Sequence, residues 1–251
     1  MFSVATPRLE ALRLRAESPL VNGRVRLHMP DSIFPRHSHT LRLLELTLCD
    51  FSWPSLLCLS SLAHLELCDP ATRPTMAQVL ALCRLPMLET LILDQSLPAH
   101  DDTDTTSSRH FLPNLHILTL SGRLESCSNV LNHITYPITT IATFNCDTFS
   151  RESLPLTHFL QTAHSAIIYK RDDHIVHSLG YEANSDRFFL TFLVVRRSST
   201  PFPHQKPQLS VSIRRNVDHL ITKFVHPAVA TLSLVEVQAL YLSIPWCFQI
   251  N

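Results

Sequence analysis

Large apolar residues recur along this chain in a six-residue strip, Leu-x-x-Leu-x-Leu, with polar or small residues in the gaps. "ATPRLEALRL" (5–14), "LRLLEL" (41–46), "SSLAHLEL" (60–67), "CRLPMLETLIL" (83–93), "HFLPNLHILTL" (110–120) and "LSLVEVQALYL" (232–242) all carry it. Aligned on the first position, the strips begin at Leu9, Leu41, Leu62, Leu88, Leu115, a degenerate Ile138 and Val237. The intervals up to Ile138 are 32, 21, 26, 27 and 23 residues. Alternation inside each strip predicts a short strand with one buried face. Between strips the spacing changes to that of a helix. Met76, Val79, Leu80 and Cys83 stand at i, i+3, i+4 and i+7, with Pro74 in the first turn and Pro86 beyond the end. Leu124, Cys127, Leu131 and Ile134 form a second stripe that stops before Pro137, and Val217, Leu220, Ile221 and Phe224 a third, ending near Pro227.

A strand followed by a helix, then a proline and the next strand, repeated, produces a parallel sheet on one side and helices on the other. Intervals of roughly 20–29 residues are the leucine-rich-repeat period. The strip at Leu41 runs on through Cys49 to Phe51, meeting the longer consensus with its Asn/Cys position. Ile138 does nearly so, with Ile141 and Cys146. The expected fold is therefore a single α/β domain over 1–251, a curved solenoid of irregular leucine-rich repeats. Its parallel strands would line the concave face, and its helices and turns the convex face. Repeats are clear over 5–145 and degenerate over 146–251, where about three more units would fit, with strand-like runs at 165–169, 188–195 and 209–213. "HMPDSIFPRHSHT" (28–40) lengthens the first unit, and the polar "SLPAHDDTDTTSSRH" (96–110) is expected to be a mobile loop. A generic α/β domain with leucine-rich strands is the alternative.

Composition removes several kinds of function. The chain has 251 residues with 21 basic and 21 acidic side chains. Without a basic excess, nucleic acid is not an expected partner. The longest strongly apolar run, Phe188 to Val195, is far short of a membrane helix, so no membrane partner is expected either. Seven cysteines, odd in number and never closer than nine residues, make neither a disulfide framework nor a metal knuckle, and fit an intracellular location, cytoplasmic or nuclear. With three glycines in all, no phosphate-cradling loop or dinucleotide fingerprint can be written.

Fifteen histidines invite a metal reading, but the close pairs His37/His39, His174/His177 and His219/His226 each lack a second ligand pair at zinc spacing. "DDTDTT" (101–106) has calcium-type oxygens without the turn glycine or distal glutamate of a calcium loop. Ser121-Gly122 is no nucleophile elbow. No catalytic residue, cofactor or metal is expected, although spacing alone does not exclude a Cys–His pair that meets only in the fold.

What remains is a surface. If the strip leucines point inward, their neighbours face the concave side. These are Ala11, Arg13 and Arg15; Leu43, Glu45 and Thr47; His64, Glu66 and Cys68; Thr90, Ile92 and Asp94; Ile117, Thr119 and Ser121; and, in the last strip, Ala239, Tyr241 and Ser243. Arg13, Arg15, Glu45, His64, Glu66, Ile92, Asp94 and Tyr241 are the candidate protein contacts, and Arg13, Glu45 and Glu66 should stack along one row. A solvated mixed-charge ladder would place the same charges there.

The strips, "LCDFSW" (48–53) and "RPTMAQVLALCRLPMLETLIL" (73–93) together resemble the leucine-rich regions of the large F-box protein families of mushroom-forming fungi. The resemblance spans about 5–245 and is strongest over 41–145. It implies a substrate-recognition module of a ubiquitin ligase, binding a protein substrate. No segment resembles the F-box itself, so docking on the ligase adaptor is not expected of this chain alone. With the first strip so near Met1 and an apolar tail, "SIPWCFQIN" (243–251), uncapped ends and self-association are also expected. An enzyme with an unseen Cys–His or metal-assisted site, and a truncated gene product without activity, stay open as alternatives.

Overall fold

A computed structural model describes residues 9–16, 26–30, 34, 39–98, 109–137, 139–147, 156–168, 174–183, 187–196, 209–214 and 239–243. In chain order they form β1 (Ala11–Arg15), β2 (Leu27–His28), β3 (Leu43–Thr47), β4 (Cys49–Asp50), α1 (Trp53–Leu56), β5 (His64–Cys68), α2 (Met76–Leu82) and β6 (Thr90–Asp94). There follow β7 (His110–Phe111), β8 (Ile117–Arg123), α3 (Leu124–His133), β9 (Ile134–Pro137), β10 (Ile141–Asp147) and α4 (Leu156–Ser165). The rest are β11 (Ile167–Ile168), β12 (His174–Ala183), β13 (Arg187–Arg196), β14 (Leu209–Arg214) and β15 (Ala239–Ser243). The fold is mixed α/β around a mostly parallel ten-stranded sheet of order β1-β3-β5-β6-β8-β10-β14-β13-β12-β15. Two small parallel sheets, β11-β9-β7 and β2-β4, complete it.

The strip leucines make the core. Leu41, Leu44 and Leu46, Leu62, Leu65 and Leu67, Leu88, Leu91 and Leu93, and Leu115, Leu118 and Leu120 are all buried, and pairing stacks them strand on strand. Each such side chain contributes about 2 kcal/mol of apolar burial. Leu12 and Leu14 of the edge strand β1 are only partly covered.

The strands also end alike. The residue after each C-terminus, Leu48, Asp69 and Gln95, has a positive φ of 55°, 46° and 50°, and Gly122 holds the matching place in β8 with φ 154°. The Leu48, Asp69 and Gln95 amides each donate to a carbonyl of the next strand, at 2.9 Å to Cys68, Asp94 and Ser121. A left-handed non-glycine residue costs about 1 kcal/mol, which such a bond offsets.

Helix α2 starts two residues beyond Pro74, which precedes the cap rather than lying in the first turn. Thr75 is the N-cap, and its hydroxyl accepts from the Gln78 amide while the Gln78 side chain accepts from the Thr75 amide. This Thr-x-x-Gln capping box satisfies two otherwise orphaned donors. Helix α3 buries Leu124, Cys127 and Leu131 as the stripe predicts, but it ends at His133, and Ile134 begins strand β9.

Two further sequence expectations need correction. The strip set at Ile138 and Ile141 is off by one residue: Leu118 pairs with Ala142 and Leu120 with Phe144, so Ala142 and Phe144 are buried while Ile141 is only half-buried. In a strand a one-residue slip exchanges the two faces, and Cys146 accordingly aligns with Gly122, not with the Cys49 position. Degenerate parallel repeats over 146–251 are not what the described strands form. β12, β13 and β14 pair antiparallel, and β14 rather than the next strand in sequence lies beside β10. A pairwise stack of repeats would keep sequence order.

The polar stretch 96–110 is anchored at both ends. Ser96, Leu97 and Pro98 are buried, Ser96 donates to the Leu67 carbonyl, and Arg109 donates to Asn132 and Ser165. The expected mobility of 99–108 lies outside the described residues, as do the helix at 217–224, Ile138 itself and both chain ends. Finally, the lengthened unit at 28–40 inserts Met29 and Phe34 into the core.

Candidate functional site on the exposed sheet face

Opposite the leucines, β1, β3, β5, β6 and β8 present three rows of side chains in exact register of the backbone pairing. The first runs Ala11, Leu43, His64, Thr90, Ile117; the second Arg13, Glu45, Glu66, Ile92, Thr119; the third Arg15, Thr47, Cys68, Asp94, Ser121. Most are half-buried; the three β1 residues and Ile117 are exposed, while Thr90 and Ser121 are buried. All the candidate contacts on the N-terminal strands therefore share one face, and Arg13, Glu45 and Glu66 stack as expected. Tyr241 does not join them. It lies on β15, paired with Gly180 of β12 at the far edge of the sheet, six strands along from the strand of Ile92.

The charged end of the face is one contiguous group. Arg13 Nε stands 2.8 Å from Glu45 Oε2, while His64 Nε2 lies 3.7 Å from Glu45 Oε1 and 3.9 Å from Glu66 Oε2. Both imidazole distances exceed a hydrogen bond, and His64 Nε2 is buried without a hydrogen-bond partner. Glu45, His64 and Glu66 together offer three ligand atoms within 4.8 Å of one another, the group among the described residues that could hold a divalent cation. Sequence spacing missed it because Glu45 and His64 belong to different strips, and only the β3–β5 register brings them together. Aligning the strips and reading across them, as for Arg13, Glu45 and Glu66, is the signal that finds it. With Arg13 two-thirds exposed, its pair with Glu45 is worth only some tenths of a kcal/mol.

One row further, Cys68 Sγ donates to Asp94 Oδ2 at 3.5 Å. Burial first, and the Asp94 carboxylate second, push the Cys68 thiol up to about 11. It is a protonated thiol at neutral pH and a poor nucleophile. Burial also raises Cys49 and takes Cys83 up to about 12. The described cysteines are all free thiols. No helix among the described residues is long and apolar enough to cross a membrane.

Comparison with protein families, curated proteins and solved structures finds no match to this chain.

Proposed function

We propose that this chain is a protein-binding scaffold, an irregular leucine-rich-repeat solenoid over its N-terminal strands whose exposed sheet face recognises a protein partner. The kind of work would be substrate recognition, as in ubiquitin-ligase receptors with leucine-rich repeats. Support for the repeat comes from the four successive strips of buried leucines and the positive-φ residue that recurs at the end of each strand. The observation that carries the function is the outward face. Across five parallel strands it combines half-covered or exposed apolar side chains (Leu43, Ile92, Ile117) with an ordered charge group (Arg13, Glu45, His64, Glu66). A rigid sheet holds both without further ordering cost, and apolar contacts bordered by charge suit a protein partner.

The test is a photo-crosslinking residue placed at Ile117 on this face, or at Phe111 on β7 outside the ten-stranded sheet. Both positions are exposed, at 39% and 46%. A discrete crosslinked protein from position 117, absent from 111 and lost on adding Ile92→Asp, is the expected result. Equal labelling from both positions would overturn the assignment of the face.

A further inference from the structure

His64 and Glu66 stand two apart on β5 and so share a face, and register sets Glu45 of β3 directly opposite Glu66. One ligand-type atom from each of the three lies within 4.8 Å of the others. We propose that Glu45, His64 and Glu66 bind a divalent transition cation of the zinc class.

The observation that points to a ligand is His64 Nε2. This atom is shut off from solvent, although the side chain as a whole is 26% exposed, and it has no hydrogen-bond partner. A buried ring nitrogen is ordinarily satisfied. The carboxylate oxygens beside it, Glu45 Oε1 at 3.7 Å and Glu66 Oε2 at 3.9 Å, stand too far off to satisfy it. Those gaps suit an ion between the atoms. Zinc held at about 2.0–2.1 Å by each ligand sets tetrahedral neighbours about 3.3 Å apart. Closing 3.7 and 3.9 Å to that value takes side-chain shifts of about 0.5 Å.

Charge favours the same reading. Glu45 and Glu66 are like charges at directly opposed positions, a pairing that costs stability on its own. Arg13 Nε holds Glu45 Oε2 at 2.8 Å, which fixes that carboxylate and leaves Oε1 for the ion. Among the described residues no arginine or lysine pairs with Glu66, and the next place in its row is the apolar Ile92. One carboxylate charge is therefore left for a cation to neutralise. An imidazole nitrogen beside two carboxylate oxygens suits zinc better than calcium, which takes oxygen ligands in larger number, or magnesium, which keeps its waters. Three protein ligands leave a fourth zinc position for water. Ion binding does not need the protein-partner reading, and each can fail without the other.

Equilibrium dialysis of the whole chain against zinc chloride, with bound metal counted by emission spectroscopy, tests it. Glu45→Gln, Glu66→Gln and His64→Ala should each weaken this site at least about ten-fold, since even a group that only supports a ligand has that effect. Each should therefore remove one equivalent of bound zinc. His116→Ala and Cys58→Ser, at an exposed imidazole and an exposed thiol elsewhere, should remove none. Excess calcium should not displace the ion. Zinc should also raise the melting temperature of the parent by mass action, and Glu66→Gln should lose that gain. Glu66→Gln is isosteric at a part-exposed side chain, so it carries the test if His64→Ala does not fold. Absence of zinc binding to the parent, an unchanged zinc count in Glu66→Gln, an equal loss in His116→Ala or Cys58→Ser, or displacement by calcium would overturn the proposal.

Discussion

Leu118 and Ile117 are neighbours on β8, and an aspartate at one should be far more damaging than at the other. Leu118 is 0% exposed, packed in the leucine stack between Leu91 of β6 and Ala142 of β10; Ile117 is 39% exposed on the opposite face. Truncating a fully buried leucine costs about 2–5 kcal/mol through lost burial and the cavity left behind. An aspartate adds the cost of an ionisable group without a partner, so Leu118→Asp should lose at least about 4 kcal/mol. Against a typical total of about 5–15 kcal/mol, that leaves the domain mostly or wholly unfolded at room temperature. Ile117→Asp removes partial burial only, at about 1 kcal/mol or less. Urea titration followed by far-ultraviolet circular dichroism reads both midpoints. Leu118→Ala, milder by construction, keeps the comparison measurable if the aspartate variant does not fold. Equal midpoint shifts for positions 117 and 118, or a larger one at 117, would refute the face assignment of β8 and with it the leucine core.

Thr75→Ala should lower stability by about 1 kcal/mol, because it removes the hydroxyl that accepts from the Gln78 amide at the start of α2, and Thr75→Ser should restore most of it; the same urea titration checks this, and no loss in the alanine variant would mean that this capping bond is not formed. Among the described thiols Cys58 is exposed and should react first with a thiol reagent at neutral pH, ahead of buried Cys83. Burial raises Cys83 from 9.0 to about 12, so the folded chain holds that proton more tightly than the unfolded one. The resulting stability is complete below pH 9 and is lost as pH rises from there through about 12. Cys83→Ala should flatten that alkaline decline in thermal melts, and an unchanged profile would contradict it.

The short strands and their buried faces were legible because period-two alternation is a local property. Leu65, Leu67, Leu91 and Leu93 announce which side goes inward whatever lies beside them. The reading slipped at Ile138, where isoleucine and threonine stand in for leucine and two registers fit equally well. Burial of Phe144 against Phe159 of α4, with ring centroids 5.5 Å apart, decided between them, and that contact joins separate helix and strand segments. Met29 and Phe34 look like loop residues in sequence because they follow no period, yet both are buried in the hydrophobic core.

For this protein the sequence by itself determined the parallel N-terminal strands, their inward leucines and the outward row of Arg13, Glu45 and Glu66. Each follows from side-chain alternation plus a repeat that places like beside like. Tertiary structure alone decided which strands lie side by side beyond β10, where β14, β13 and β12 pair antiparallel and carry Tyr241's strand to the far edge. It alone also brought His64 beside two carboxylates. Hydrophobic period states which face of a strand leaves water, but not which neighbour covers it. That second choice rests on long-range pairing and packing, to which no local stretch of the chain holds the answer.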